Sequence, residues 1–230
     1  MNAFETTAAK RTARAAGLWY LGLAISGLVG FMAIRGQLYV ADDAAATAAN
    51  LVEHESLARI GIAADMAIVV TQALAALYFY KLFRAANAFA AGALAAFGLI
   101  NAVAILAGVA STATALDVAL SGGAADTVQV LYNLSDAMWG VGALFFGLWL
   151  IPMGYVVYTA RLMPRALGAV LVAGGATYLL SAFVMYLWPD APGAVAGVLT
   201  TLPTIGEFWI IGYLLTIGVR SPKDASQLRA

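Results

Sequence analysis

Six long apolar runs decide what this chain can become: roughly residues 15–34, 59–80, 86–115, 129–158, 166–188 and 194–219. A helix rises about 1.5 Å per residue, so about 20 residues cross the roughly 30 Å of bilayer hydrocarbon. The runs are continuous rather than alternating, which argues for helices and against a membrane β-barrel. The third and fourth exceed the need, so each is expected to tilt or to begin as an interfacial turn. Composition agrees: 63% of residues are hydrophobic and 10% charged, against about 25% charged in a soluble domain. The expected fold is an all-α integral membrane protein of six transmembrane helices. It forms a single domain over 1–230, with tails at 1–13 and 220–230 and one long outer loop at 35–58.

Loop charges orient the helices. Of the 12 Lys and Arg residues, only Arg35 and Arg59 fall on one side. The rest fall on the other, which by the positive-inside rule is the cytoplasm, with both termini there. Lys10, Arg11 and Arg14 before the first run resemble a signal-peptide n-region. The run is longer than a typical signal core, so it reads as an uncleaved anchor. In the outer loop, Asp42 or Asp43 is a candidate N-cap. Ala44, Ala48, Leu51 and Val52 then form an apolar stripe, predicting a short amphipathic helix on the membrane surface. Gly22, Ser26 and Gly30 recur every four residues, a spacing that lets membrane helices approach closely.

Three acids lie inside the apolar runs: Asp65, Asp136 and Glu207. A charge in hydrocarbon costs about 2.5–3.5 kcal/mol on insertion scales, so such residues normally face a bundle interior or water. Asp65 follows Arg59 by six residues, about 9 Å along a helix. Asp136 sits at a similar depth after Gln129. Glu207 lies near mid-span, where Pro203 is expected to interrupt the helix and relieve the cost. Asn133, Asp136 and Trp139 recur every three residues and share a helix face, so the indole N–H is a candidate donor to the carboxylate. Asn101 falls near the middle of the third run. Arg35 and Arg59, at the outer ends of the first two, are the candidate cationic partners.

The acids are evenly spaced, 71 residues from 65 to 136 and again from 136 to 207. "RAAG" at 14–17, "RAAN" at 84–87 and "RALG" at 165–168 open alternate runs. Together they suggest three helical hairpins as parallel repeats. The bland alternative is equally physical: arginine at inner helix ends follows from the positive-inside rule, and alanine is abundant.

Several chemistries are excluded. There is no cysteine, which removes disulfides, thiolate metal sites and thiol nucleophiles. The one histidine, His54, belongs to the outer loop, so paired-histidine haem ligation and a buried Ser–His site are ruled out. Lys10, Lys81 and Lys223 lie at helix ends or tails, and no phosphate-binding glycine loop or H-E-x-x-H is present. With net charge zero, no basic face points to nucleic acid. No catalytic or metal-ligating residue is therefore assigned, no cofactor is specified, and an enzyme is disfavoured. The leading expectation is an outward-facing polar pocket of Asp65, Asp136, Glu207, Arg35, Arg59, Asn133, Trp139 and Asn101. It would bind a proton, a cation or a small cationic or amphipathic molecule, in the manner of a permease. The alternative is a non-catalytic membrane scaffold or subunit whose intramembrane acids fix helix register. The lipid bilayer is the expected partner, and a homo-oligomer is compatible with the chain.

Strings along the chain, "AGLWYL", "DDAAATAANL", "RIGIAADM", "FFGLWLIPMGYVVY", "LMPRALG" and "IGEFWIIGYLL", carry a resemblance. In order and spacing, over about residues 12 to 220, they resemble a bacterial family of six-helix membrane proteins catalogued as a domain of unknown function. The resemblance implies a bacterial cytoplasmic (inner) membrane location and brings no chemistry with it.

Overall fold

The computed structural model describes residues 3–220. Lys223 and Arg229, part of the charge asymmetry, lie outside the described residues. Every regular element among those described is helical: α1 (Ala3–Gly27), a π-helical segment (Leu28–Ile34), α2 (Arg35–Leu38), α3 (Ala44–Glu53), α4 (Glu55–Phe83), α5 (Ala88–Leu120), α6 (Ala125–Ala160), α7 (Arg165–Leu187) and α8 (Gly193–Thr216). Six stretches are long and apolar enough to cross a membrane: Thr7–Leu38, Glu55–Phe83, Ala88–Leu120, Ala125–Ala160, Arg165–Leu187 and Gly193–Thr216. The chain is a multi-pass membrane protein. The helices of the first four spans extend beyond their apolar runs, the third only at its C-terminal end.

Pro203 does not break α8. A proline removes one N–H from the ladder, a defect that membrane helices tolerate when packing and side-chain hydroxyls compensate. Thr201 and Thr204 donate to the backbone carbonyls of Gly197 and Thr200 at 2.6 and 2.7 Å, neither of which is the Leu199 carbonyl that would have faced the missing N–H. The ring itself is buried, and Gly174 of α7 presents so little bulk that a Cβ there would lie 2.7 Å from the Pro203 Cα.

The chain divides into two compact units, to which α1, α4, α5 and α6 all contribute. One comprises, among the described residues, 3–21, 72–101 and 143–220. Within it, α6 and α7 meet backbone to backbone at Gly147 with Gly175 and at Gly154 with Gly168. Small residues allow this approach, and dispersion contacts replace the hydrophobic drive that lipid does not supply. The unit also contains three mutually perpendicular rings. Tyr20, Phe79 and Trp149 have centroids 5.6–5.7 Å apart, an edge-to-face geometry worth about 0.5–1.5 kcal/mol per pair. Gly98 makes room for the Trp149 indole.

The other unit comprises residues 22–71 and 102–142. Its core joins Ile34, Leu38, Leu51, Ala58, Leu116 and Tyr132. Asp43 caps α3, its carboxylate accepting the Ala46 N–H at 2.8 Å. The buried face of α3 is Thr47 and Leu51, whereas Val52, predicted in the apolar stripe, is 51% exposed. Thr47 turns inward because its hydroxyl donates to the Val40 carbonyl and accepts the Val40 N–H. Gly22 and Gly30 of the small-residue stripe both face α4, at Thr71 and Asp65.

Candidate functional site

Arg35 is the centre of the polar group in the second unit. It follows the π-helical segment, whose last backbone bond runs from the Arg35 N–H to the Gly30 carbonyl. A π turn holds an extra residue and shifts the helical phase of all that follows; such insertions concentrate at functional positions. The result is a guanidinium directed at α6 rather than along its own helix. One nitrogen lies 2.7 Å from an Asp136 carboxylate oxygen and 3.1 Å from the Tyr132 carbonyl, to which it donates. Another donates to the Ser135 hydroxyl at 3.3 Å. The side chain of Arg35 is 10% exposed and that of Asp136 40%.

Two tyrosines flank the guanidinium. The rings of Tyr39 and Tyr132 stack at 5.5 Å and 5°, and Arg35 lies over them at 5.7 and 5.2 Å. A planar, weakly hydrated guanidinium suits such surfaces, which a lysine would not match. The Tyr39 hydroxyl donates to Asn133 at 2.8 Å. Burial, and then the Asp136 charge, push the Tyr39 phenol above its ordinary pKa, so it remains a neutral donor. Gln129 donates to the Val40 carbonyl at 3.3 Å.

Asp65 approaches the same guanidinium from α4. It is buried, and its Oδ1 has no hydrogen-bond donor among the described residues. Arg35, Asp65, Thr112 and Tyr132 line a cavity of about 20 Å³ with Gly30 and Gly61, room for one water. Gly30 is required here, since a Cβ would collide with Asp65 Oδ1. Arg35 thus pairs with one carboxylate, Asp136, and lines a cavity with a second, Asp65. Counted as ionised groups, the three leave one excess negative charge within the spans.

Glu207 has other partners, in the first unit. Its Oε1 accepts the Tyr20 hydroxyl at 2.7 Å, and the Tyr20 oxygen accepts the Trp149 indole N–H at 3.4 Å. Tyr178 approaches from α7. Of the three evenly spaced acids, Asp136 pairs with Arg35, Asp65 lines a cavity with that same arginine, and Glu207 accepts from Tyr20. Arg59 donates to Glu55 at 2.7 Å in an exposed i,i+4 pair. Trp139 is half-buried on α6. Among the described residues, Asn101 is fully buried with neither amide atom hydrogen-bonded, and Gln72 Oε1 is likewise without a donor. The register that sets Gly98 against Ala76 brings Gln72 level with Asn101.

Tyr20, Trp149, Tyr132 and Ser135 are not among the residues the sequence singles out. The pairing of Tyr20 with Glu207 spans 187 positions, and no local spacing announces it. Gly30 was visible as part of a packing stripe, though not as a seat for a carboxylate.

A family model described as Domain of unknown function (DUF4386) matches residues 15–218. No curated protein and no solved structure matches the chain.

Proposed function

For a chain that belongs to the DUF4386 family, whose description names no activity, we propose that Arg35, Asp65 and Asp136 bind one proton or one small monovalent cation. The observation that carries this reading is a buried carboxylate, Asp65, lining one small cavity with an arginine already paired to Asp136. Asp65 Oδ1 is left without a donor beside a cavity of about 20 Å³. A bound cation would cancel the excess charge, and a charge buried without compensation is the costly state. The cavity favours an occupant the size of water over an amphipathic molecule. Asn133 acts through Tyr39 by orienting its ring against Arg35. In the proposed orientation the termini are cytoplasmic, the membrane is the bacterial inner membrane, and α3 lies at the outer surface beside the site. That arrangement suits uptake from outside.

Flux into proteoliposomes tests this. With an imposed cation or pH gradient, wild-type protein should pass protons or Na⁺, and Asp65→Asn should not. Equal leakage from empty, wild-type and mutant vesicles would reject transport. It would leave the scaffold reading, which a specific contact favours for Glu207. A carboxylate accepting from a buried tyrosine ties α8 to α1 and needs no ligand.

A further inference from the structure

A second cavity, of about 620 Å³, lies wholly within the first unit. Its wall includes Thr12 of α1, Lys81 and Leu82 at the end of α4, and Arg84 in the turn that follows. Leu162 and Val219, beyond α6 and α8, complete it. Among the described residues the lining holds two cations, one threonine and no acid, and the rest is alanine and aliphatic surface. Neither Lys81 nor Arg84 has a carboxylate partner among the described side chains. Lys10, Arg11 and Arg14 on α1 add to the positive field at this end of the unit.

We propose that this cavity binds an anionic phospholipid, with Lys81 and Arg84 on the phosphodiester and the aliphatic wall against the glycerol and first acyl carbons. Three features point to a lipid. The volume falls within the roughly 300–1,000 Å³ of small-molecule sites. The cavity opens at the ends of membrane-spanning helices, where headgroups lie. Its chemistry is also divided as a lipid's is, cationic at the polar rim and apolar elsewhere. A soluble anion would be met by hydrogen-bond donors on all sides, and here only Thr12 adds a hydroxyl, already donated to the Ala8 carbonyl at 3.1 Å. The leaflet concerned is the cytoplasmic one under the orientation proposed above, though the site does not depend on that assignment.

Native mass spectrometry of the full chain, released from nanodiscs of equal phosphatidylglycerol and phosphatidylcholine, tests the proposal. Wild type should retain phosphatidylglycerol preferentially. Loss of one cation should weaken retention about fivefold and loss of both about twenty-five-fold. Lys81→Gln with Arg84→Gln should therefore abolish the preference, while Lys81→Arg with Arg84→Lys keeps it. Ala9→Phe, which fills the cavity without removing charge, should also lose the lipid. Thermal midpoints in detergent identify any variant that has simply unfolded. Equal retention of the two lipids, a preference unchanged in the glutamine variant, or displacement by millimolar inorganic phosphate would overturn the proposal.

Discussion

The guanidinium of Arg35 and the carboxylate of Asp136 meet at 2.7 Å, a pairing made possible by the π-helical turn that ends one residue before the arginine. Regular α-helix would carry Arg35 on a different phase, away from α6. Asp65, buried on α4, lines the same small cavity as Arg35.

Removing the cation should therefore harm stability more than removing either acid. Arg35→Gln leaves two carboxylates without compensation and should cost about 3 kcal/mol, the low end for a broken buried pair. Arg35→Lys should recover only part, since an ammonium lacks the planar contact with Tyr39 and Tyr132. Thermal unfolding of the three proteins in one detergent gives the ranking.

Gly30→Ala should destabilise by about 1–3 kcal/mol through overpacking against Asp65. Gly27→Ala, one turn earlier with nothing near its added Cβ, should be neutral or slightly stabilising. The double variant Gly30→Ala with Asp65→Ala should regain most of the loss, because the colliding atom is gone. A Gly30→Ala protein as stable as wild type would show that Asp65 does not sit against that backbone.

Tyr20→Phe strands the Glu207 oxygen and should cost about 1–3 kcal/mol, whereas Tyr20→Phe with Glu207→Leu should be milder than the sum, since both polar partners are removed together. A double-mutant cycle should return a coupling of about 1–2 kcal/mol. Glu207→Gln keeps an acceptor for Tyr20 and should retain the wild-type folded yield.

The α6–α7 contact offers a steric test. A Cβ at Gly168 would lie 2.6 Å from the Tyr158 backbone nitrogen, so Gly168→Ala must part the helices and should lower the thermal midpoint clearly. Gly92→Ala, whose Cβ meets open space, serves as the control and should not.

The six spans were legible in the sequence because hydropathy over 20 residues is a bulk property that no single contact overrides. Arg35 as a partner for Asp136 was within reach for a similar reason, being one of two cations on its side of the chain. Arg59, the other, is taken by Glu55 four residues away, a local pair the spacing already contained. The π turn was not legible: "LVGFMAI" carries no mark that separates it from α-helix, and its cause lies in what packs against it. The continuity of α8 through Pro203 differs from the break the sequence predicts. In this helix the proline is buried against Gly174 of α7. The even 71-residue spacing of the acids placed them correctly on alternate spans, yet their partners depend on contacts between distant segments that spacing does not encode.

The central claim is that Arg35, Asp65 and Asp136 hold one proton or small cation, and linkage tests it most directly. A ligand that binds only the folded state stabilises it by about 2.7 kcal/mol at one hundred times its dissociation constant. The thermal midpoint of wild type should rise with added Na⁺ or with acidification, measured against choline at matched ionic strength. In Asp65→Asn, where the excess charge is gone, the midpoint should start higher and lose that dependence. A wild-type midpoint indifferent to protons and cations, or a dependence that Asp65→Asn retains in full, would contradict the account.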